Sequence, residues 1–375
     1  MIFGSRQRVR LGRAALLTLV VLLLAVACSP AHRRRDPASR FGVGEPAPLP
    51  ATTPYVVITG RSAGWAVWPS GSAWLVLQTQ DGFAHVTNRT PVAVETDGGL
   101  VGSFAVDRAV VAVGAHNRLL SSPLLTWTGA VNWVPAELPD PVADARAAVS
   151  LGGRSETAVT AGGIVLTRTA TGWSAVADVR QLAPAGGVRF DSIVWGTASL
   201  GWLTAHGRAG QPMAFQTSNG GAAWTPVPLA TGSVVAALAP CGAGASWLLP
   251  VIDTAGTERV LRTGDGGLTW TAGAPLSVAA GEPAWGCLGE AVWTAAHVGS
   301  ADRVLASNDA GNEWVDRGPA PAGLTDLTPT GDGVGFAASM GKGATLWAVS
   351  ADGASFKAVG LPAWVAAVGS QTSGD

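Results

Sequence analysis

Three stretches of this chain superpose without a gap: Thr217-Ser-Asn219-Gly-Gly221-Ala-Ala-Trp224, Thr263-Gly-Asp265-Gly-Gly267-Leu-Thr-Trp270 and Ser307-Asn-Asp309-Ala-Gly311-Asn-Glu-Trp314. The shared pattern is Ser/Thr-x-Asp/Asn-x-Gly-x-x-Trp. Four weaker copies keep the frame. Thr79-Gln-Asp81-Gly82 ends in Val86, Thr126-Trp-Thr128 ends at Trp133, Thr167-Arg-Thr169 ends at Trp173, and Ser350-Ala-Asp352-Gly353 ends one residue early at Phe356. The acid-equivalent positions are 81, 128, 169, 219, 265, 309 and 352, spaced by 47, 41, 50, 46, 44 and 43 residues. Such a period means one supersecondary unit per repeat. A second mark runs in phase with it: Trp65, Trp202, Trp247, Trp293 and Phe336 precede the acid position by 16, 17, 18, 16 and 16 residues.

Within a unit, short apolar or alternating runs such as Trp74-Leu-Val-Leu77, Arg259-Val-Leu261 and Arg303-Val-Leu305 stop at a turn rich in Gly and Asn/Asp, and Trp opens the next run. These are strand and hairpin signals. A short Asp or Asn side chain accepts from backbone N–H groups just downstream, Ser or Thr does so more weakly, and Gly supplies positive φ. One unit has room for four short strands, the size of a propeller blade. Composition agrees. With 50 Gly, 16 Trp and only 13% charged residues, a coiled coil is excluded, and Gly without a three-residue period excludes collagen. At 47% hydrophobic, the chain can bury a large core.

The motif resembles the Asp-box, or BNR repeat, of sialidases, sortilin-like receptors, some glucan hydrolases and propellers of the photosystem-assembly-factor type. Gly64-Trp65-Ala-Val67 and Gly201-Trp202-Leu203, each followed by a strand and a box, look most like the last group. The resemblance covers residues 54–370 and implies an all-β fold, a seven-bladed β-propeller of four-stranded antiparallel blades. It further implies that the box lies on the hairpin between the third and fourth strands, away from the axial ligand face. The box residues Thr79, Asp81, Thr217, Asn219, Gly221, Trp224, Thr263, Asp265, Gly267, Trp270, Ser307, Asp309, Gly311, Trp314, Ser350 and Asp352 are then structural, not ligands of a metal. Residues 361–369, with Trp364, are expected to pair back into the first blade, beside 54–60.

Ahead of the repeats lies an address. Arg6, Arg8, Arg10 and Arg13 precede Ala14–Ala27, a run apolar except for Thr18. That length fits a signal-peptide core and is too short for a spanning helix. It ends in Leu24-Ala25-Val26-Ala27-Cys28, which resembles a bacterial lipoprotein lipobox, with Ala25 where Leu is usual. The reading is a signal peptide over 1–27 and a lipidated Cys28 opening a disordered tether over 28–53, rich in Pro, Ala and Arg. The alternative is an ordinary cleaved signal with an incidental cysteine. Residues 371–375 are a disordered tail. Multiple acyl chains anchor firmly, which places the protein on the outer face of the cell membrane. The Arg-rich, Lys-poor composition suggests an actinobacterial source.

From residue 41 onward the chain holds 16 basic and 24 acidic residues, a balance of −8. A body of that sign does not track phosphate backbones, so no nucleic-acid partner is expected. Cys241 and Cys287 each lie 22 residues after a box acid, at the same place in adjacent units. In an oxidising compartment they form either a disulfide or two buried thiols. His32, His85, His116, His206 and His297 have no metal-ligand spacing, and no cofactor is implied. Gly60-Arg-Ser62-Ala-Gly64 matches a nucleophile elbow only in letters, since no strand-to-helix turn surrounds it. Sialidases carry an arginine triad, a tyrosine–glutamate nucleophile pair and an Arg-Ile-Pro segment. That segment is absent here and Tyr55 is the only tyrosine. The sequence therefore reads as a monomeric, non-catalytic scaffold binding a protein or glycan on its axial face. The competing reading is a glycoside hydrolase, sialidase-like or with two carboxylates.

Overall fold

The computed structural model describes residues 53–367 apart from 92–99, 107–108, 114–123, 128–132, 137–148, 153–154, 160–162, 180–188, 207–211, 228, 230–233, 238–240, 244–245, 254, 279–283 and 332. Its strands form seven antiparallel sheets in chain order, spanning 55–88, 100–136, 149–178, 189–226, 234–277, 285–319 and 324–359. Each is an up-and-down meander in which every strand pairs with the next. In the first sheet Tyr55–Ile58, Gly64–Ser70, Ala73–Thr79 and Thr87–Asn88 pair in that order. The fifth sheet departs from the pattern. Both Val234–Ala237 and Cys241–Ala243 pair with Ser246–Asp253, and Leu276–Ser277 adds to Thr257–Thr263. The chain is thus an all-β propeller with antiparallel four-stranded blades.

The middle strands explain why the sequence shows apolar runs more often than strict alternation. A strand whose two faces are both covered has no wet side. Five consecutive residues of Gly64–Ser70 and six of Ser246–Asp253 are buried. The in-phase aromatics sit on second strands and fill the space between sheets. Trp65, Trp202 and Trp247 are at most 2% exposed. Trp65 stacks on Phe104 of the second sheet at 5.1 Å and donates Nε1–H to Ala105 O at 2.9 Å. Trp202 meets Trp247 of the fifth sheet at 5.6 Å. Trp195 of the fourth sheet donates to Thr157 Oγ1 of the third at 2.7 Å. Burying one indole contributes roughly 4–6 kcal/mol at the usual area coefficient. Close approach near the axis requires small residues instead: a Cβ on Gly286 would meet Leu327 O of the next sheet at 2.2 Å.

The last sheet meets the first through side chains of the strand Leu324–Thr330. Thr325 Oγ1 donates to Pro54 O at 2.9 Å and Thr328 Oγ1 to Val56 O at 2.8 Å, while Val56 N–H donates to Asp326 Oδ2 at 2.9 Å. Phe83 and Phe336 meet edge to face at 5.2 Å across the same seam. This corrects the expectation that 361–369 pairs into the first blade. Phe356–Val359 is the last strand, and Ala363–Ala367 is a short helix. The neighbour of the first strand is the first strand of the last sheet, not its C-terminal one. The physical reason is that four consecutive strands already complete each sheet, so no strand is left to exchange. Val365 instead lies in a cluster with Val56, Ala66, Trp68 and Leu346, capping the seam.

Val365→Ala is expected to cost about 1–2 kcal/mol, for the lost methyls and the cavity left. Trp364→Ala, at a residue 37% exposed, is expected to change stability by less than half of that. Denaturant unfolding of both variants checks the pair.

Candidate functional site

The boxes occupy the hairpins between third and fourth strands, and their hydrogen bonding repeats. In the fifth sheet Thr263 Oγ1 donates to Asp265 Oδ1 at 2.7 Å and accepts the N–H groups of Asp265 at 3.3 Å and Gly267 at 2.9 Å. Asp265 Oδ1 then accepts Thr269 N–H at 2.9 Å, and Oδ2 accepts the Thr269 hydroxyl at 2.6 Å. Thr217 with Asn219, Ser307 with Asp309, and Thr79 with Asp81 repeat the scheme at 2.9, 2.7 and 3.0 Å. Ser350 donates to Asp352 at 2.7 Å. Thr128 lies outside the described residues. In the poorest copy, Thr169 Oγ1 donates to Gly172 O instead. Two consecutive residues per box take positive φ: Gly220 and Gly221, Gly266 and Gly267, Ala310 and Gly311. A Cβ on Gly267 would also meet Gln216 Oε1 at 1.9 Å and Trp202 at 2.3 Å. Trp224 is buried and donates Nε1–H to Gly221 O at 3.1 Å, closing its own turn. Trp270 meets Trp202 edge to face at 5.4 Å, and Trp314 is half-buried.

These acids are solvent-facing and hold their protons weakly. The Thr269 hydroxyl, then its N–H, keeps Asp265 well below the usual carboxylate range. Asp81 is lowered first by His85, Asp309 by the Glu313 N–H, and Asp352 by the Ser350 hydroxyl. One acid per sheet, each spent on its own turn, leaves no shared cluster. Among the described residues no group of three or more His, Cys, Asp or Glu could hold a metal ion.

The structure joins Cys241 and Cys287 as a disulfide, with Cα atoms 6.3 Å apart, between the fifth and sixth sheets. Cys28 lies outside the described residues. Among those that are described, no helix is long and apolar enough to cross a membrane.

The opposite end of the sheets carries the hairpins between second and third strands and the links from one sheet to the next. Of these, 92–99, 114–123, 137–148, 180–188 and 207–211 lie outside the described residues. Two charge pairs lie at this end, His297 Nδ1 with Asp302 Oδ1 and Arg303 Nε with Asp316 Oδ1, each at 3.0 Å, and Lys342 is exposed in the last sheet's hairpin. Asp253 Oδ1 accepts the N–H groups of Ala255 and Thr257, both at 2.9 Å. Met340, Val298 and Trp364 are exposed here.

Tyr55, the single tyrosine, lies on the first inner strand. Its hydroxyl donates to Gly102 O at 3.0 Å and accepts Gly102 N–H at 2.8 Å. Burial pushes its pKa above the ordinary phenol value. A phenol held neutral with both roles filled is a strut between two sheets, since a nucleophile needs the opposite treatment.

Several residues escaped the sequence reading. Phe83 takes the box glycine's place at φ 68° and donates its N–H to Thr79 Oγ1 at 2.9 Å. Its side chain is 1% exposed, and burial worth roughly 2–3 kcal/mol offsets a left-handed cost of about 1–2 kcal/mol. Asp326 and Glu258 sit at sheet seams. Glu258 was legible in part, because it alternates in phase with buried Val260.

No protein-family model and no curated protein matches the chain. Solved structures do. YCF48 from Cyanidioschyzon merolae is 18% identical, covering 80% of this chain and 96% of that one, with a TM-score of 0.55. The GH74 xyloglucanase from Xanthomonas campestris is 13% identical over 82% of this chain, with a TM-score of 0.59; the match spans only about half of that enzyme, 52%. These likenesses show the β-propeller fold.

Thr263→Val is expected to cost about 1–3 kcal/mol by stranding the buried Gly267 N–H, whereas Thr169→Val should be near neutral; chemical denaturation compares them. Because the box acids are held low, their contribution is complete above the unfolded carboxylate pKa and is lost progressively as pH falls from there through the lower folded-state value. Stability is therefore expected to drop below about pH 4, and less so in Asp265→Asn, which keeps an acceptor without the charge. Acid titration followed by tryptophan fluorescence reads this.

Proposed function

We propose that this chain is the propeller of a membrane-anchored, extracytoplasmic lipoprotein, closed as a seven-bladed ring and acting as a non-catalytic scaffold. The observation that carries the reading is where its chemistry-bearing residues are spent. Five of the boxes hold hairpins, Tyr55 props two sheets together, and the cysteines bridge two more. A rigid ring assembled in this way presents its axial end to a protein or glycan and does no chemistry with the groups that build it. The lipid anchor at Cys28 is read from the apolar run and the residues before the cysteine. A body at −8 speaks against nucleic acid as the partner.

The test has two parts. Cys28→Ala is expected to move the protein from the membrane fraction to the soluble or secreted one, and membrane retention by that variant would refute the anchor. In-cell crosslinking should recover a reproducible partner. Turnover on a panel of glycosides, with no partner recovered, would replace the scaffold by a glycoside hydrolase.

A further inference from the structure

Two seams of the ring are bridged by a carboxyl group facing a threonine hydroxyl, and in both the hydrogens do not add up for an ionised acid. At the seam between last and first sheets, Thr328 Oγ1 lies 2.8 Å from Val56 O and 2.8 Å from Asp326 Oδ2. Both are acceptors when Asp326 is charged, and a hydroxyl has one hydrogen to give. A proton on Asp326 Oδ2 resolves the conflict. It points to Thr328 Oγ1, the hydroxyl hydrogen goes to Val56 O, and the remaining lone pair of Oδ2 takes Val56 N–H at 2.9 Å. Between the fifth and sixth sheets, Thr294 Oγ1 lies 2.8 Å from Glu258 Oε2 and 3.4 Å from Ala284 O. Glu258 is wholly buried, and its Oε1 has no hydrogen-bond partner among the described residues. A charged carboxylate buried with one hydrogen bond carries a large desolvation cost, and a protonated one does not.

We propose that Asp326–Thr328 and Glu258–Thr294 are proton-holding clasps, so that the ring is tight at mildly acidic pH and loosens at these two seams as pH rises.

Among the described residues no cation is seen to compensate either clasp. Facing Asp326 is Tyr55, itself neutral. The strands flanking Glu258 carry Asp253, bound to its own turn, and His297, paired with Asp302. Arg259 and Arg262 on its own strand are exposed. Burial pushes Asp326 up to about 6 and Glu258 up to about 7. For an acid raised on folding, the native state holds the proton longer than the unfolded chain does. Its contribution is complete below the unfolded value and is lost as pH rises through the folded one, which sets a window from about pH 4 to about pH 7.

The test uses Asp326→Asn and Glu258→Gln, neither of which can ionise. The Gln amide N–H stands in for the Glu258 proton toward Thr294, whereas the Asn amide nitrogen cannot also accept Val56 N–H, so at that seam the size of the pH-dependent fall is read and not the absolute midpoint. For the parent, the unfolding midpoint is expected to fall as pH is raised from about 5 to about 8. The fall should shrink in each single variant and be smallest in the double. At the alkaline end Glu258→Gln should unfold at or above the parent temperature. Histidines titrate in the same window but are common to all forms, so the differences isolate the clasps. A parent midpoint that does not fall, or variants that keep the full fall, would overturn the proposal. If either variant does not fold, carbon-13 titration of the parent's Asp and Glu carboxyls decides. Two resonances titrating well above the rest support the clasps, and a full set titrating at ordinary values overturns them.

Discussion

A four-stranded sheet with two apolar faces has nowhere to put either of them alone. Each face must lie against another sheet, and an open row always leaves two faces bare. The rest of this structure follows from that requirement. Radial packing is tight inside and loose outside, so the sequence grades residue size along each unit. Near the axis Gly102 and Gly286 admit a neighbour's backbone or hydroxyl at contact distance. One strand further out, Trp65, Trp202, Trp247 and Trp293 fill the widening gap. An indole also leaves one N–H to place, and Trp65 places it on a backbone carbonyl of the next sheet. The tryptophan count that marks this composition is therefore a measure of how much space lies between sheets.

The outer hairpins face a different problem. Their fourth strands are short, Thr225–Pro226 and Thr271–Ala272 being two residues each. So little pairing cannot hold a turn, and the boxes supply the missing bonds from within. One hydroxyl takes two backbone N–H groups, and one carboxylate takes the next. Gly172–Asp178 runs seven residues and follows the poorest copy, in which Thr169 Oγ1 meets Gly172 O and the Thr171 hydroxyl. Strand length alone does not set the strength of the motif: the full box ending at Trp314 precedes the five-residue Val315–Pro319, and the degraded one at Thr79 precedes the two-residue Thr87–Asn88.

Range along the chain sets what was legible. The repeat, the strand content and the turns were readable because each rests on contacts within one unit. The disulfide was readable as one of two outcomes, because two cysteines shared a phase. What involves two distant units was not. The role of 361–367 depends on whether the last sheet needs a borrowed strand, and no local signal states that. Asp326 sits in Leu-Thr-Asp-Leu-Thr, where nothing announces that its partner is Val56, 270 residues away. Phe83 hid for another reason: burial against Phe336 outweighs the backbone cost that normally demands glycine.

The same residue type thus plays opposite electrostatic parts in one ring. At the rim, Asp81, Asp265, Asp309 and Asp352 meet water and several donors, so the charged form is favoured. At the seams, Asp326 and Glu258 meet apolar neighbours and too few donors, so the neutral form is favoured. Linkage gives the two sets slopes of opposite sign, the rim failing in acid and the seams weakening as protons leave. Between them lies a mildly acidic range in which these six carboxyls are each in the state their surroundings prefer.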